Sequence, residues 1–179
     1  MKICLDPGHG GHDWGASIQH PFKYTEKEFS LVLAQLTAGK LESSGYSVMF
    51  TRSSDIFIPL ETRALLANAA GADVFLSIHA NASSDPASEG MEVFYYPGSE
   101  NGRSLANLTL QSLLEECPGH IDRGIKEAKF VVLELTNMPA ALVECEFISN
   151  PRQAAFLRNP ENQRKLATAI ARGVHIFSR

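Results

Sequence analysis

The chain has 179 residues, 44% of them hydrophobic and 20% charged, with a formal net charge of −4. That length builds one well-buried domain and is short for two. The charge balance gives no general drive toward nucleic acid or anionic membranes, and no apolar run approaches a membrane-spanning length.

In chain order, "MKICLD" at the start reads as a short buried strand. It feeds a glycine-dense loop, "PGHGGHDWG", that carries His9 and His12. Phe29, Leu33, Leu36 and Leu41 fall near helical spacing and predict a helix over 26–44 that stops at Gly45. "YSVMFTR" is a second strand, and "PLETRALLANAAGA" a second helix with Pro59 at its start. "DVFLSIHAN" is a third strand, apolar until His79, and "GMEVFYY" a fourth, followed by a helix from Ser99 to Cys117. "KFVVLEL" and "PAALVECEF" read as two further strands, and a helix beginning near Asn159 or Pro160 closes the chain.

Strands alternating with helices, several of them continuously apolar, predict an α/β fold: one domain with a mainly parallel, mixed twisted sheet of about six strands and helices on both faces. Cys4, Cys117 and Cys145 lack zinc-finger spacing and read as small buried hydrophobes, with no disulfide framework. The first residues carry neither the long apolar stretch nor the cleavage site of an export signal. On that basis the chain is expected to stay inside, to leave by an unusual route, or to derive from a longer exported precursor.

Ligands of open α/β sheets collect beyond the carboxyl ends of the strands. His9 follows the first strand, His79 ends the third, Glu144 lies near the end of the last, and Glu26 opens the first helix a short reach from the His9 loop. Two imidazoles and a carboxylate, with a further carboxylate nearby, are the inventory of a catalytic zinc hydrolase. Taken singly, His9 could be a solvent-facing loop residue, His79 a structural hydrogen-bonding group and Glu26 an ordinary first-turn acid. Glu144 is different. It interrupts the apolar "AALVECEFI", and a buried carboxylate must be paired, protonated or bound to a metal. Strand alternation puts Glu144 and Glu146 on one face, where they repel unless a cation sits close or the strand ends and Glu146 turns outward.

"LDPGHGGHDWGA", "TEKEFSLVLAQLTAGKLESSGYSVMFTR", "LETRALLANAAGADVFLSIHANA", "DRGIKEAKFVVL" and "PAALVECEFISNP" follow one another in an order and at distances that resemble the zinc-dependent N-acetylmuramoyl-L-alanine amidases of bacterial cell-wall turnover. The resemblance runs from residue 2 to near the C-terminus. It implies one Zn2+ ion on His9, Glu26 and His79, with Glu144 as catalytic glutamate. The implied substrate is peptidoglycan, cut between the lactyl group of N-acetylmuramic acid and L-alanine of the stem peptide. Asp6 and Asn81 are expected from their positions to orient the histidines. His12, His20, His120 and His175 receive no role.

Two departures bear on specificity. Glu146 stands where such amidases commonly have a small residue, and Glu134 where they often have a basic one. Glu146 is expected to alter the substrate rim or add a hydrogen bond, and Glu134 to change recognition of the acidic stem peptide. After the fourth strand only "PGSENGRSLANL" leads into the next helix, too little for the inhibitory helix inserted in some periplasmic relatives. Residues 1–179 are thus expected to form a single catalytic domain with an open site and no wall-binding module. It would act as a monomer at the cell wall, outside the cell or in the periplasm, with no nucleic-acid or membrane partner. Both an exported autolysin's catalytic part and a holin-released phage lysin fit. Two other readings stay open on the residues alone. A zinc carboxypeptidase would need an arginine clamp, and Arg52, Arg63 and Arg123 sit in no such motif. A wall-binding domain that has lost the reaction would lack a ligand or the general base.

Overall fold

A computed structural model describes residues 1–179. The chain forms β1 (Lys2–Pro7), the two-residue strands β2 (Ser17–Ile18) and β3 (Tyr24–Thr25), and α1 (Glu26–Ser43). There follow β4 (Ser47–Phe50), α2 (Leu60–Ala69), β5 (Val74–Asn81), β6 (Met91–Tyr95) and α3 (Glu100–Glu116). The last elements are β7 (Asp122–Glu127), α4 (Val131–Glu134), β8 (Ala140–Phe147), α5 (Pro151–Arg158) and α6 (Pro160–Phe177).

Six strands make one sheet in the order β4-β1-β5-β8-β6-β7, and β2 pairs with β3 in a small antiparallel ribbon. The first four strands are parallel, β6 runs antiparallel to β8, and β7 is parallel to β6. From β1 the chain crosses to β4 on one side and then to β5 on the other. The carboxyl ends of β1 and β5 therefore flank a point where the winding reverses, the place where such sheets form a crevice. The apolar runs of β1 and β5 follow from burial on both faces.

Coverage of the two faces is unequal. A core of 33 buried residues lies between the sheet and α1, α3, α5 and α6, whereas only 8 form the core beneath α2 and α4.

One expected strand is not a strand. "VVLE", within the run "KFVVLEL", forms the one-turn helix α4 with Val132 and Leu133 buried, and the sixth strand is instead the polar "DRGIKE" of β7. An edge strand needs no continuous apolar run, so its pattern was silent, and a short apolar run by itself does not separate strand from buried helix. Helix α5, capped by Asn150 with Pro151 at its first position, was also unanticipated.

Candidate metal centre and active site

The site begins where β1 ends. Gly8 donates its N–H to the Ile78 carbonyl at 3.0 Å, and any Cβ there would lie 2.2 Å from the His79 ring. His9 follows with φ 61°, the one non-glycine residue in the left-handed region. Two buried arginines hold this turn. Arg63 donates to the carbonyls of Pro7 (2.7 Å) and His9 (2.7 Å), and Arg52 to those of Pro7 (2.9 Å) and Gly8 (2.8 Å). Both guanidiniums thus spend donors on the backbone carbonyls of this turn. Gly15, at φ 63°, returns the loop so closely that a Cβ would meet Glu26 Oε2 and His9 Cδ2, each at 2.6 Å.

Glu26 is placed by a helix start. The Glu28 carboxylate accepts from the N–H (3.0 Å) and the hydroxyl (2.6 Å) of Thr25, so α1 begins with Glu26 pointing inward, only 5% exposed. Glu26 Oε1 lies 3.1 Å from His9 Nε2 and 2.7 Å from His79 Nδ1, while Oε2 accepts the N–H of Ala16 at 2.9 Å.

The other ring nitrogens are already engaged. His9 Nδ1 is 2.9 Å from Asp13 Oδ2. His79 Nε2 is 3.1 Å from the Ser77 hydroxyl, whose own proton goes to Asp6 Oδ2 at 2.7 Å. These outer partners assign the N–H to His9 Nδ1 and His79 Nε2. Two lone pairs then converge on a carboxylate oxygen, with all three atoms within 4.8 Å of one another. Such a cluster calls for a cation or an added proton. Tetrahedral zinc with bonds of about 2.0–2.1 Å needs donors roughly 3.3 Å apart, close to the spacings found, and two imidazoles with one carboxylate are donors it accepts. The donor set fits zinc. Burial lowers the basicity of His9, but Glu26 and Asp13 outweigh it and raise its pKa above 6.5. Burial likewise opposes ionisation of Glu26, yet wherever the two imidazoles carry a proton on these inner nitrogens, as metal-free protein allows, His79 and His9 hold it well below the usual carboxylate range.

Glu144 pairs in register with His79 on the neighbouring strand, so both side chains rise from the same face of the sheet. Its Oε2 is shielded from solvent and has no hydrogen-bond partner. Burial, with the nearby charges of Glu26 and Glu92, pushes its carboxyl well above 4.5. Beside the triad, a cavity of about 470 Å³ runs along Phe57, Leu60, Phe130, Val131 and Leu142.

Residues 3–175 match the N-acetylmuramoyl-L-alanine amidase family. The chain belongs to that family. It is 35% identical over 175 residues to the probable cell wall amidase LytH of Staphylococcus aureus, a match covering 98% of this chain and 57% of that protein. It therefore spans a little over half the length of the curated relatives it matches. Among solved structures, the N-acetylmuramoyl-L-alanine amidase of Clostridium difficile 630 is similar at TM-score 0.94 and 35% identity, over 99% of this chain and 96% of that one. The catalytic domain of CwlV, an amidase from Bacillus (Paenibacillus) polymyxa var. colistinus, is similar at TM-score 0.92 and 34% identity, over 99% and 97% of the two chains.

Within this amidase domain, His9, Glu26 and His79 come together as a cluster and Glu144 stands beside them. Asp6 and Asn81 do not orient an imidazole directly. Asp6 is occupied by Thr51 (2.5 Å), Arg63 (2.9 Å) and Ser77, and reaches His79 only through Ser77. Asn81 follows a register shift in the β5–β8 pairing and donates to Glu92 at 2.6 Å. The partners that touch the rings are Asp13 and Ser77. Asp13 had a signal, a carboxylate four residues past His9 in a turning loop; Ser77 had none beyond strand alternation with His79.

Glu146 does not face Glu144. Cys145 and Glu146 together lie opposite Ala80, and this bulge turns the fully buried Glu146 toward the α3 and α5 side. There it accepts from His120 Nδ1 (2.7 Å) and from the N–H groups of Gly90 (2.8 Å) and Phe147 (3.1 Å). It is an internal hydrogen-bonding group and lies off the substrate rim. Glu134 is exposed at the end of α4, accepting from the Tyr96 hydroxyl at 3.4 Å.

Proposed function

We propose that this chain hydrolyses peptidoglycan at the amide between the lactyl group of N-acetylmuramic acid and the L-alanine that begins the stem peptide. In this reading zinc is held by His9, Glu26 and His79, and Glu144 moves the proton. The observation that carries it is Glu144 itself: a shielded carboxylate oxygen with no partner, on the same sheet row as His79.

When bound, a zinc ion supplies Lewis-acid polarisation to the amide carbonyl and to water. The protein's own groups do the rest. Asp13 and Ser77 keep the N–H on the outer nitrogens, so His9 Nε2 and His79 Nδ1 face inward unprotonated. Glu26 stays ionised and offsets the charge of a cation. Glu144, made a stronger base by burial, accepts a proton from the attacking water and returns it to the departing L-alanine nitrogen. The aromatic and aliphatic wall of Phe57, Leu60 and Phe130 excludes solvent from one side of the reacting amide. The passage from β6 to α3 takes only residues 96–99, which supports an uncovered site that works without an activator at the cell wall.

The test is mass spectrometry of soluble products after digestion of purified peptidoglycan, with a chelated aliquot alongside. Stem peptides with a free L-alanine amino terminus are expected, lost on chelation and restored by zinc. Products cut only inside the peptide would move the chain to a peptidase, and no release from several wall types would leave a binding domain.

A further inference from the structure

The row of side chains holding His79 and Glu144 continues past the reaction centre. Glu144 pairs with Glu92 on β6, and β7 bulges opposite Glu92, where Arg123 and Gly124 share one partner position. In the adjoining row Leu142 pairs with Phe94, and Phe94 with Lys126. Glu92 is 4% exposed, yet three donors converge on it. Asn81 takes Oε1, while Arg123 Nε (3.1 Å) and the Lys126 ammonium both take Oε2.

One cation suffices to neutralise one buried carboxylate. Here there are two, and both remain accessible, with side chains 36% (Arg123) and 41% (Lys126) exposed. Their charged ends lie over aromatic rings: Arg123 Cζ is 4.9 Å from the Phe147 centroid and Lys126 Nζ 5.9 Å from that of Phe94. The result is two cations sharing one carboxylate on the far side of β6 from the general base, in a chain of net charge −4.

We propose that Arg123 and Lys126, seated on Glu92, bind a carboxylate of the substrate two residues along the stem peptide from the scissile amide, the free α-carboxylate of its γ-linked second residue. The proposal rests on the amidase reading and names what the site recognises. Neighbouring strands lie about 4.8 Å apart, so β6 is roughly 5 Å and β7 roughly 10 Å from the Glu144 backbone. Two extended residues span about 7 Å. A peptide whose first amide sits at Glu144 and which runs outward across β6 places that carboxylate over the cations on Glu92. Arg123 keeps its terminal guanidinium nitrogens for it, one of them only loosely engaged with the Glu89 carbonyl at 3.3 Å, and Lys126 has spare donors as well.

The experiment compares two soluble muropeptides identical except at the second residue, one with D-isoglutamate and its free α-carboxylate, the other with D-isoglutamine and a neutral amide there. Wild type is expected to favour the acid form by roughly 10-fold or more in kcat/KM, the scale of one charge-assisted hydrogen bond. Arg123→Met and, separately, Lys126→Met, each of which leaves one cation on Glu92, are expected to raise KM for the acid form, leave kcat nearly unchanged and barely affect the amide form. Equal turnover of the two substrates by wild type overturns the proposal without any variant. Equal losses on both substrates in the variants also overturn it, by showing that the cations act only through Glu92 and the sheet. If wild type cleaves neither muropeptide but digests peptidoglycan to free L-alanine termini, this inference fails and the amidase reading stands. No cleavage of any kind removes both.

Discussion

Glu144 and Glu146 are separated by one residue on β8 and meet opposite surroundings. Glu146 is fully buried and completely used, its two oxygens shared among His120, Gly90 and Phe147. Glu144 has one shielded oxygen with no partner and two like charges, Glu26 and Glu92, close enough to raise its pKa. The extra residue of the bulge is what separates them, because it sends the second carboxylate toward α5 while the first stays in line with His79. The contrast is that of structure and chemistry. A satisfied buried carboxylate ties segments together, whereas an unsatisfied one is a cost retained where a reaction uses it.

Substitutions should pull the two roles apart. The largest effect is expected for Glu144→Gln, which removes the proton acceptor and lowers turnover by about 10²–10⁴-fold. The same change relieves repulsion from Glu26 and Glu92, so calorimetry of this variant should show a Tm no lower than wild type. Reversal of that pattern, with activity retained and stability lost, would make Glu144 structural.

Glu146→Ala should do the converse. It leaves His120 and two backbone N–H groups without their acceptor, a loss of about 3–5 kcal/mol and a Tm drop on the order of 10 °C. Its fold-loss in turnover, measured on the protein that remains folded, should be smaller than that of Glu144→Gln.

Acidity offers a sharper contrast in metal-free protein. The folded-state pKa of Glu144 is raised above 4.5, so the folded form holds this proton longer than the unfolded chain does. That contribution is fully present below 4.5 and is lost as pH rises toward the folded value. The Tm difference between Glu144→Gln and wild type, both chelated, should therefore grow as pH is raised from 4.5 toward neutrality. A difference independent of pH would mean that Glu144 titrates normally.

The smallest effect is expected for His120→Gln. A glutamine amide can still donate to Glu146, so unfolding titrations should register about 1 kcal/mol or less. A loss as large as that of Glu146→Ala would show that the imidazole's charge, and not its hydrogen bond, secures the bulge.

Much of this was legible in the amino-acid order. Runs such as "ICLD", "VFLSI" and "AALVEC" mark strands buried on both faces, and the spacing of Phe29, Leu33, Leu36 and Leu41 marks α1, because local periodicity depends on near neighbours in the chain. The four candidate chemical residues were legible for a related reason: each is a polar group at the end of an apolar run or at a helix start. What could not be read was anything depending on two segments meeting. The polar edge strand β7, the bulge that parts Glu146 from Glu144, and the pairing of Asp13 and Ser77 with the imidazoles all arise from register and packing across the sheet. The same holds for Arg52 and Arg63, whose spacing in sequence says nothing of carbonyls some 50 residues away. The sequence by itself determined the layered α/β plan and which groups could do chemistry. Only the tertiary structure decided which of them converge, which way each imidazole presents its lone pair, and which of two neighbouring carboxylates is left free, because hydrogen-bond satisfaction in a buried site is a property of all the segments that enclose it.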